Sequence, residues 1–193
     1  MSKRLVTENT ESLDSVFIDR FSTRSFSYRP VSDTQLSTLF EAARWAPSAS
    51  NSQPWLFLYS TTGTEREVFN SLLRPNNQRW ATAAPVLAYV FARKYADDGR
   101  AYRTSQFDTG AAWMSLAIQA AKLGLHTHAI GGINFDQVHD KLGLSPDDYD
   151  VIVGVAIGYR GNPANLPDDL QLREHPSDRK QVTEIARRWV FPS

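Results

Sequence analysis

Apolar positions along the chain recur with two different spacings, and the switches between them predict the order of elements. In SDTQLSTLFEAARWA (32–46), Leu36, Leu39, Phe40 and Ala43 fall on one face of a helix, and Ser32 with Gln35 has the spacing of a capping box at its start. That helix delivers the chain directly to Pro47. WLFLYS (55–60), APVLAYVFAR (84–93) and DVIVGVAIGY (150–159) read as strands, the last two apolar on both faces and therefore central in a covered sheet. Helices are expected to cover them. FDTGAAWMSLAIQAAKLGL is apolar nearly all round and stops at Gly124, which puts a helix over 106–123 between the sheet and a further surface. FDQVHDKLGL gives a short helix ending at Gly143. From GYRGNPANLPDD onward the chain turns polar and proline-rich, an extended tail expected to wrap a neighbour rather than enter a core, with RRWVF as its last apolar group.

No repeat, low-complexity tract or linker divides the 193 residues, so one domain spanning 1–193 is expected, with 160–193 as a C-terminal extension. A chain of this length buries roughly 70% of the surface its unfolded form exposes, enough for a core of its own. Twenty-one basic and twenty-one acidic residues cancel, and no lysine or arginine stripe marks a nucleic-acid or anionic-membrane binder. The absence of cysteine excludes disulfides, thiolate nucleophiles and cysteine-ligated zinc. The first twenty residues lack an apolar core of signal-peptide length, and the longest apolar runs are too short to span a bilayer, so a cytoplasmic protein without membrane contact is expected.

Several chemistries find no support. GxSxG, the P-loop, HExxH and GxGxxG are all missing, which removes nucleophile elbows, NTPase loops, zincins and a Rossmann dinucleotide site. The histidines of HTH (126–128) lack the third and fourth ligands a metal needs, and DDYD (147–150) reads as a solvated turn before a strand. What remains is cationic and polar. In DRFSTRSF, Arg20, Ser22 and Arg24 alternate, so an extended backbone sets two guanidiniums and a hydroxyl on one face. An arginine fork suits a phosphate dianion; a solvated surface is the competing reading. The second cluster, RWAPSASNSQPW (44–55), packs three serines and two amides between two prolines. A proline-braced loop capping its own backbone is one account of it. A turn that lets backbone and amides approach a flat ligand is the other.

RFSTRSF followed by APSASNSQPW resembles the flavin-dependent nitroreductase family, whose hallmark pairing is R-x-S-x-R/K before the first core helix and A-P-S-x-x-N-x-Q-P-W after it. The resemblance continues through NQRWATAAPVLAYV, AAWMSLAIQAAKLGL, AIGGINFDQVHDKLGLSPDDYDVIVGVAIGYRGNP and DRKQVTEI. It implies an α+β fold: a three-layer α/β/α sandwich with a central mixed, mainly antiparallel sheet. It also implies an intertwined homodimer with two FMN sites at the interface. By resemblance Arg20, with Phe21 and Ser22, contacts the FMN phosphate and Arg24 the pyrimidine edge; Pro47, Ser48 and Ala49 lie against the flavin across the interface, with Asn51 and Gln53 as amide contacts. Asn76 and Arg79 align near the pyrimidine ring, and Arg179 and Lys180 match the basic pair of the tail that closes on the phosphate.

Ile130, Gly131 and Gly132 correspond to the segment that family members lay beside the flavin N5. Many members read G-G-F-D where this chain has GGINFD, so Ile133 and Asn134 are extra residues bearing on pocket shape. On the local sequence alone, the same glycines read as a turn leaving a strand. The resemblance implies ping-pong hydride transfer, with NAD(P)H as a transient electron donor and a small-molecule acceptor such as a nitroaromatic, a quinone or an activated carbonyl or alkene. No side chain need act as a nucleophile, and no catalytic residue is singled out. A specialised member (semialdehyde reductase or dehalogenase-like) and a flavin-binding redox carrier or sensor are the other readings. Trp80, Tyr95 and Tyr102 are candidates for a pocket lid or for ordinary packing.

Overall fold

The computed structural model describes residues 12–189. Its centre is a strand with no exposed face. β2 (Val86–Arg93) is buried from Val86 to Ala92, with β1 (Trp55–Ser60) antiparallel on one side and β4 (Tyr149–Gly158) antiparallel on the other. β3 (His126–Ile130) pairs with the far edge of β4, giving the order β1-β2-β4-β3 with every pairing antiparallel. The fold is α+β.

Period-two alternation divides β2 between two cores. Leu87, Tyr89 and Phe91 enter one, Val86, Ala88 and Val90 the other. In β4 the assignment changes part-way. Val153, Val155 and Ile157 face the second core, yet Val151 and Tyr149 pack with the first. The cause is a bulge: Val90 pairs with Val153 and Phe91 with Val151, so Ile152 is an extra residue that reverses the parity of everything before it. Expectation and observation agree closely on these strands, with β2 two residues shorter and β4 displaced by one.

Helices cover both faces. α1 (Val16–Asp19) is a single turn, and α2 (Asp33–Arg44) starts on the expected capping box, with Gln35 N–H donating to Ser32 Oγ at 3.2 Å and Ser32 N–H to Gln35 Oε1 at 3.1 Å. Leu36, Leu39 and Ala43 on its inner face meet the second core. α5 (Ser105–Lys122) packs along α2 and ends in a Schellman motif. Leu125 N–H reaches back to Ala120 C=O at 2.8 Å and Gly124 N–H to Ala121 C=O at 3.0 Å, with Gly124 at φ 71°. The opposite face carries α3 (Gly63–Ser71), α4 (Pro75–Ala81) and α6 (Phe135–Leu142), which contribute Phe69, Trp80, Ala81 and Val138 to the first core.

α3 and α4 are weakly marked in the sequence. α4 has only seven residues with Pro75 at its first position, and α3 buries Arg66 on its apolar side. Arg66 Nη2 donates to Ala81 C=O at 3.2 Å and Ala84 C=O at 2.8 Å, so a cation closes the end of α4.

The tail departs from expectation at its near end. Leu166 and Leu170 are buried in the chain's own core, Leu170 on α7 (Asp168–Gln171), and Glu174 is buried beside Thr23. Leu166 just before α7 and Leu170 within it both enter that core and explain the docking. Further on, α8 (Val182–Ile185) and Trp189 are exposed, while Val190 and Phe191 of the last apolar group lie outside the described residues. No helix among the described residues is long and apolar enough to cross a membrane.

Leu39 is fully buried between α2 and the sheet. Leu39→Ala is expected to lower unfolding free energy by about 2–5 kcal/mol in urea titration, with the slope of the transition unchanged.

Candidate functional site

The turn between α2 and β1 is the most strained backbone of the described chain. Ser50, Asn51 and Gln53 all have positive φ, at 52°, 54° and 45°, and no other described non-glycine residue does. Asparagine tolerates that region; serine and glutamine have no such aptitude, and Gln53 also precedes Pro54, where extended conformations are favoured. Each such residue costs on the order of 1–3 kcal/mol and persists only where its surroundings impose it. The imposing groups are visible. Asp108, buried on α5, accepts from Ala49 N–H at 3.1 Å and from Thr104 Oγ1 at 2.9 Å. Ser48 Oγ accepts from Gln53 N–H at 3.0 Å, and Pro54 C=O accepts from Arg93 N–H of β2 at 2.8 Å. Both ends of the turn are therefore fixed, while Pro47, Ala49, Ser50, Asn51 and Gln53 face outward. Gln53 Nε2 donates to Asn51 C=O at 3.3 Å, so some of the polar groups do cap their own loop.

The cationic segment shows the expected alternation. Phe21, Thr23 and Ser25 are buried; Arg20, Ser22 and Arg24 are half-buried on the other side. Phe21 meets the His126 ring edge-on at 5.8 Å and carries the Arg160 guanidinium over its face at 4.9 Å. Burial, with Arg173 alongside, pushes the Arg24 guanidinium below its ordinary value, and the Glu174 carboxylate works against that shift. Arg24 and Arg79 line one cleft of about 280 Å³ together with Trp80 and Asn162. Arg79 is held in it by Asp169, its Nη1 and Nη2 donating to the two carboxylate oxygens at 3.0 and 2.5 Å.

Ile130 ends β3 in the core, and the two glycines after it stand there for different reasons. A Cβ on Gly132 would lie 2.2 Å from Asn77 Nδ2, whereas one on Gly131 would meet nothing within 4 Å. Gly132 yields room to a neighbour; Gly131 borders open space. The extra pair Ile133 and Asn134 turns away from that space. Ile133 is fully buried in a bridge to Leu73, Asn134 N–H donates to Leu72 C=O at 2.8 Å, and Arg74 N–H donates to Gly132 C=O at 3.0 Å. The insertion is thus consumed in anchoring the loop to the α3–α4 junction.

Asn76 is exposed on α4. Its neighbour Asn77, which pattern reasoning passes over, points inward: Nδ2 donates to Gly132 C=O at 2.9 Å and Oδ1 accepts from Trp80 Nε1 at 3.2 Å. Trp80 is 3% exposed, its ring 4.5 Å from that of His128, so it packs rather than forming a lid. His128 Nδ1 lies 2.9 Å from Thr23 C=O and, facing a carbonyl, carries the proton. The two histidines of β3 are structural pieces, and among the described residues no three His, Asp or Glu side chains form a metal site. Tyr95 is 46% exposed and Tyr102 half-buried. Arg179 is exposed and its Nη1 bonds the nearby carbonyls of Ser177 and Asp178; Lys180 is exposed beside it. One chain therefore brings Arg24 and Arg79 into one cleft, sets Arg20 in another beside Asp19, Lys122 and His126, supports the 47–53 turn separately from α5, and leaves the Arg179–Lys180 pair bonded within its own stretch.

The Nitroreductase family profile matches residues 18–74 and 60–159, most of the chain. The chain belongs to the nitroreductase family. A solved structure described as an oxidoreductase containing FMN superposes on it with a TM-score of 0.88 at 43% identity, covering 93% of each chain. A nitroreductase family protein of Streptococcus pneumoniae shares the fold with a TM-score of 0.73 at 19% identity, covering 91% of this chain and 98% of that one. In sequence, a Streptomyces coelicolor protein provisionally named NADH dehydrogenase/NAD(P)H nitroreductase is 38% identical over 75 residues, 39% of this chain and 37% of that protein. The 4-nitrobenzoate reductase of Pseudomonas putida is 34% identical over 89 residues, 46% of this chain and 39% of that protein. The alignments thus cover well under half the length of these two relatives.

Two measurements probe the site's supports. Asp108→Ala strips Ala49 N–H and Thr104 of their acceptor and is expected to lower stability by about 1–3 kcal/mol, read by urea unfolding. Burial holds His126 and His128 below their ordinary 6.5, so below that pH the unfolded chain takes up protons that the folded one does not. Stability is expected to fall as pH drops from about 7.5 to 5.5, and His128→Gln, which keeps a donor for Thr23 without titrating, is expected to flatten that fall in a melting series.

Proposed function

We propose that this nitroreductase-family chain is an oxidoreductase that holds FMN, takes electrons from NAD(P)H and reduces small acceptors: nitroaromatics, quinones or activated carbonyls and alkenes. The observation that carries the reading is the outward-facing strained turn 47–53. Strain of that kind is retained where the exposed backbone has work to do. The relative containing FMN, alike over 93% of both chains, supports the same cofactor here; the Streptomyces relative's name supports NAD(P)H as donor.

The residues fit the group. Arg20 and Ser22 would take the phosphate, with Phe21 buried behind them, and Arg24 and Arg79 would meet negative charge at the pyrimidine edge. Asn76 would add an amide there. Gly131, bordering open space, would let a flat ring lie against the backbone between Ile130 and Gly132. Pro47, Ser48, Ala49, Asn51 and Gln53 would cover the ring from a second subunit, and the partner-wrapping tail would bring Arg179 and Lys180 to the phosphate. Bound FMN supplies the hydride chemistry; the chain's task is to hold donor and acceptor near contact distance and keep water out. No dinucleotide fingerprint exists for a separate NAD(P)H domain, so donor and acceptor would occupy one face in turn, the ping-pong order.

A homodimer is part of this reading. The outward side of α5 leaves Phe107 80% exposed with Trp113 half-covered, and Ile185 and Trp189 of the tail are about 70% exposed, apolar surface that a second copy would bury.

The purified protein is expected to be yellow, to release FMN on heating at about one per chain, and to oxidise NADH or NADPH faster with an acceptor than free flavin does. Arg20→Ala is expected to weaken FMN binding by about tenfold or more in a fluorescence titration. A colourless protein that added FMN cannot reconstitute overturns the proposal, and bound FMN with background turnover on every acceptor favours a carrier or sensor.

A further inference from the structure

Residues 20–24 are extended without belonging to a strand, which raises the question of where their backbone hydrogen bonds go. Pairing with a neighbour starts only beyond them, where Phe26 bridges Arg160, Ser27 N–H donates to Tyr159 C=O and Gly161 N–H donates to Ser25 C=O. Before that point side chains do the work of a neighbouring strand. Thr23 C=O accepts from His128 Nδ1 at 2.9 Å on one side. On the other, both oxygens of Glu174 are engaged: Oε2 accepts from Arg24 N–H at 2.8 Å and Oε1 from the Thr23 hydroxyl, whose oxygen in turn accepts from Ser25 N–H at 3.1 Å.

Glu174 is 8% exposed. A carboxylate that deep is retained only where charge-assisted hydrogen bonds and cations compensate its lost hydration. Fastening the tail does not require one, because Leu166 and Leu170 already anchor it in the core. What the side chain offers is two polar atoms aimed at one dipeptide, Oε2 at Arg24 N–H and Oε1 at the Thr23 hydroxyl, with its charge a secondary help beside Arg24.

We infer that Glu174 is a positioning residue: by gripping Arg24 N–H and the Thr23 hydroxyl it fixes the direction in which Arg20, Ser22 and Arg24 project, and so sets the chain's grip on the ligand phosphate through Arg20 and Ser22 and on the pyrimidine edge through Arg24. The inference rests on the FMN reading above. It makes the grip on the ligand depend on a residue 150 positions away in sequence, and it predicts a loss larger for FMN than for a flavin without the phosphate.

The test titrates apoprotein with FMN and, in parallel, with riboflavin, which lacks the phosphate. Glu174→Ala is expected to weaken FMN binding about tenfold or more and riboflavin binding by a clearly smaller factor, about threefold, since riboflavin has the pyrimidine edge that Arg24 meets but not the phosphate that Arg20 and Ser22 meet. Glu174→Gln can accept from Arg24 N–H through its carbonyl and donate to the Thr23 oxygen through its amide, so FMN binding is expected to return to within about threefold of wild type. Should Glu174→Ala fail to fold by circular dichroism, Thr23→Val replaces it, with a smaller loss of FMN affinity and the same drop in FMN preference over riboflavin. Unchanged FMN binding in the folded alanine or valine variant, equal losses for both ligands, or a glutamine variant no better than alanine overturns the positioning role. Wild-type protein that binds neither flavin overturns the underlying cofactor reading instead.

Discussion

A strand buried on both faces has to be covered twice, and the rest of this fold follows from β2 meeting that demand. Its seven buried residues commit alternately to two cores. One core needs α2 and α5; the other needs α3, α4, α6 and the leucines of the near tail. Hydrophobic burial at about 25 cal/mol per Å² makes both layers obligatory rather than decorative. Once they are in place, the chain has to cross between faces at the ends of the sheet. The candidate site residues lie at those crossings: the turn entering β1, the segment that leads to the Phe26–Arg160 bridge, and the glycines leaving β3.

None of these crossings is held by regular secondary structure. Each is held by a buried or half-buried polar side chain arriving from elsewhere in the chain: Asp108 for the 47–53 turn, His128 and Glu174 for residues 20–24, Asn77 for Gly132. The logic is the same in every case. A backbone group taken out of water must be paired, and a polar side chain that is itself buried and packed can pair it in only one geometry. Precision at the site therefore comes from the cores, transmitted through a few hydrogen bonds.

That division explains what the sequence discloses. Strands and long helices advertise themselves through periodicity, so β1, β2, β4, α2 and α5 are legible to within two residues. The R-x-S-x-R alternation is legible for the same reason, and its buried and half-buried faces fall as spacing requires. The short α6 is legible too, from its period and Gly143, but α3 and α4 are not: α4 fits only seven residues around Pro75, and the period of α3 is broken by Arg66, whose burial depends on carbonyls 15 and 18 positions away. The supports are the least legible of all. Glu174 stands in a polar, proline-rich stretch that reads as solvent-facing, and nothing local distinguishes Asn77 from Asn76. Their roles are defined by partners that only the fold brings close.

Ile133 and Asn134, the pair that the family resemblance marks as extra, show how the same physics directs the chain beside Gly132. Two extra residues beside Gly132 would be expected to crowd the space Gly131 borders. Ile133 instead finds a fully buried position against Leu73, and Asn134 satisfies its backbone at Leu72 and its amide at Ser71. Burying an isoleucine is favourable by about 1.5–3 kcal/mol, and directing it the other way would expose it and orphan those carbonyls. The insertion thus strengthens the attachment of the loop to the α3–α4 junction and leaves the open side of Gly131 unobstructed.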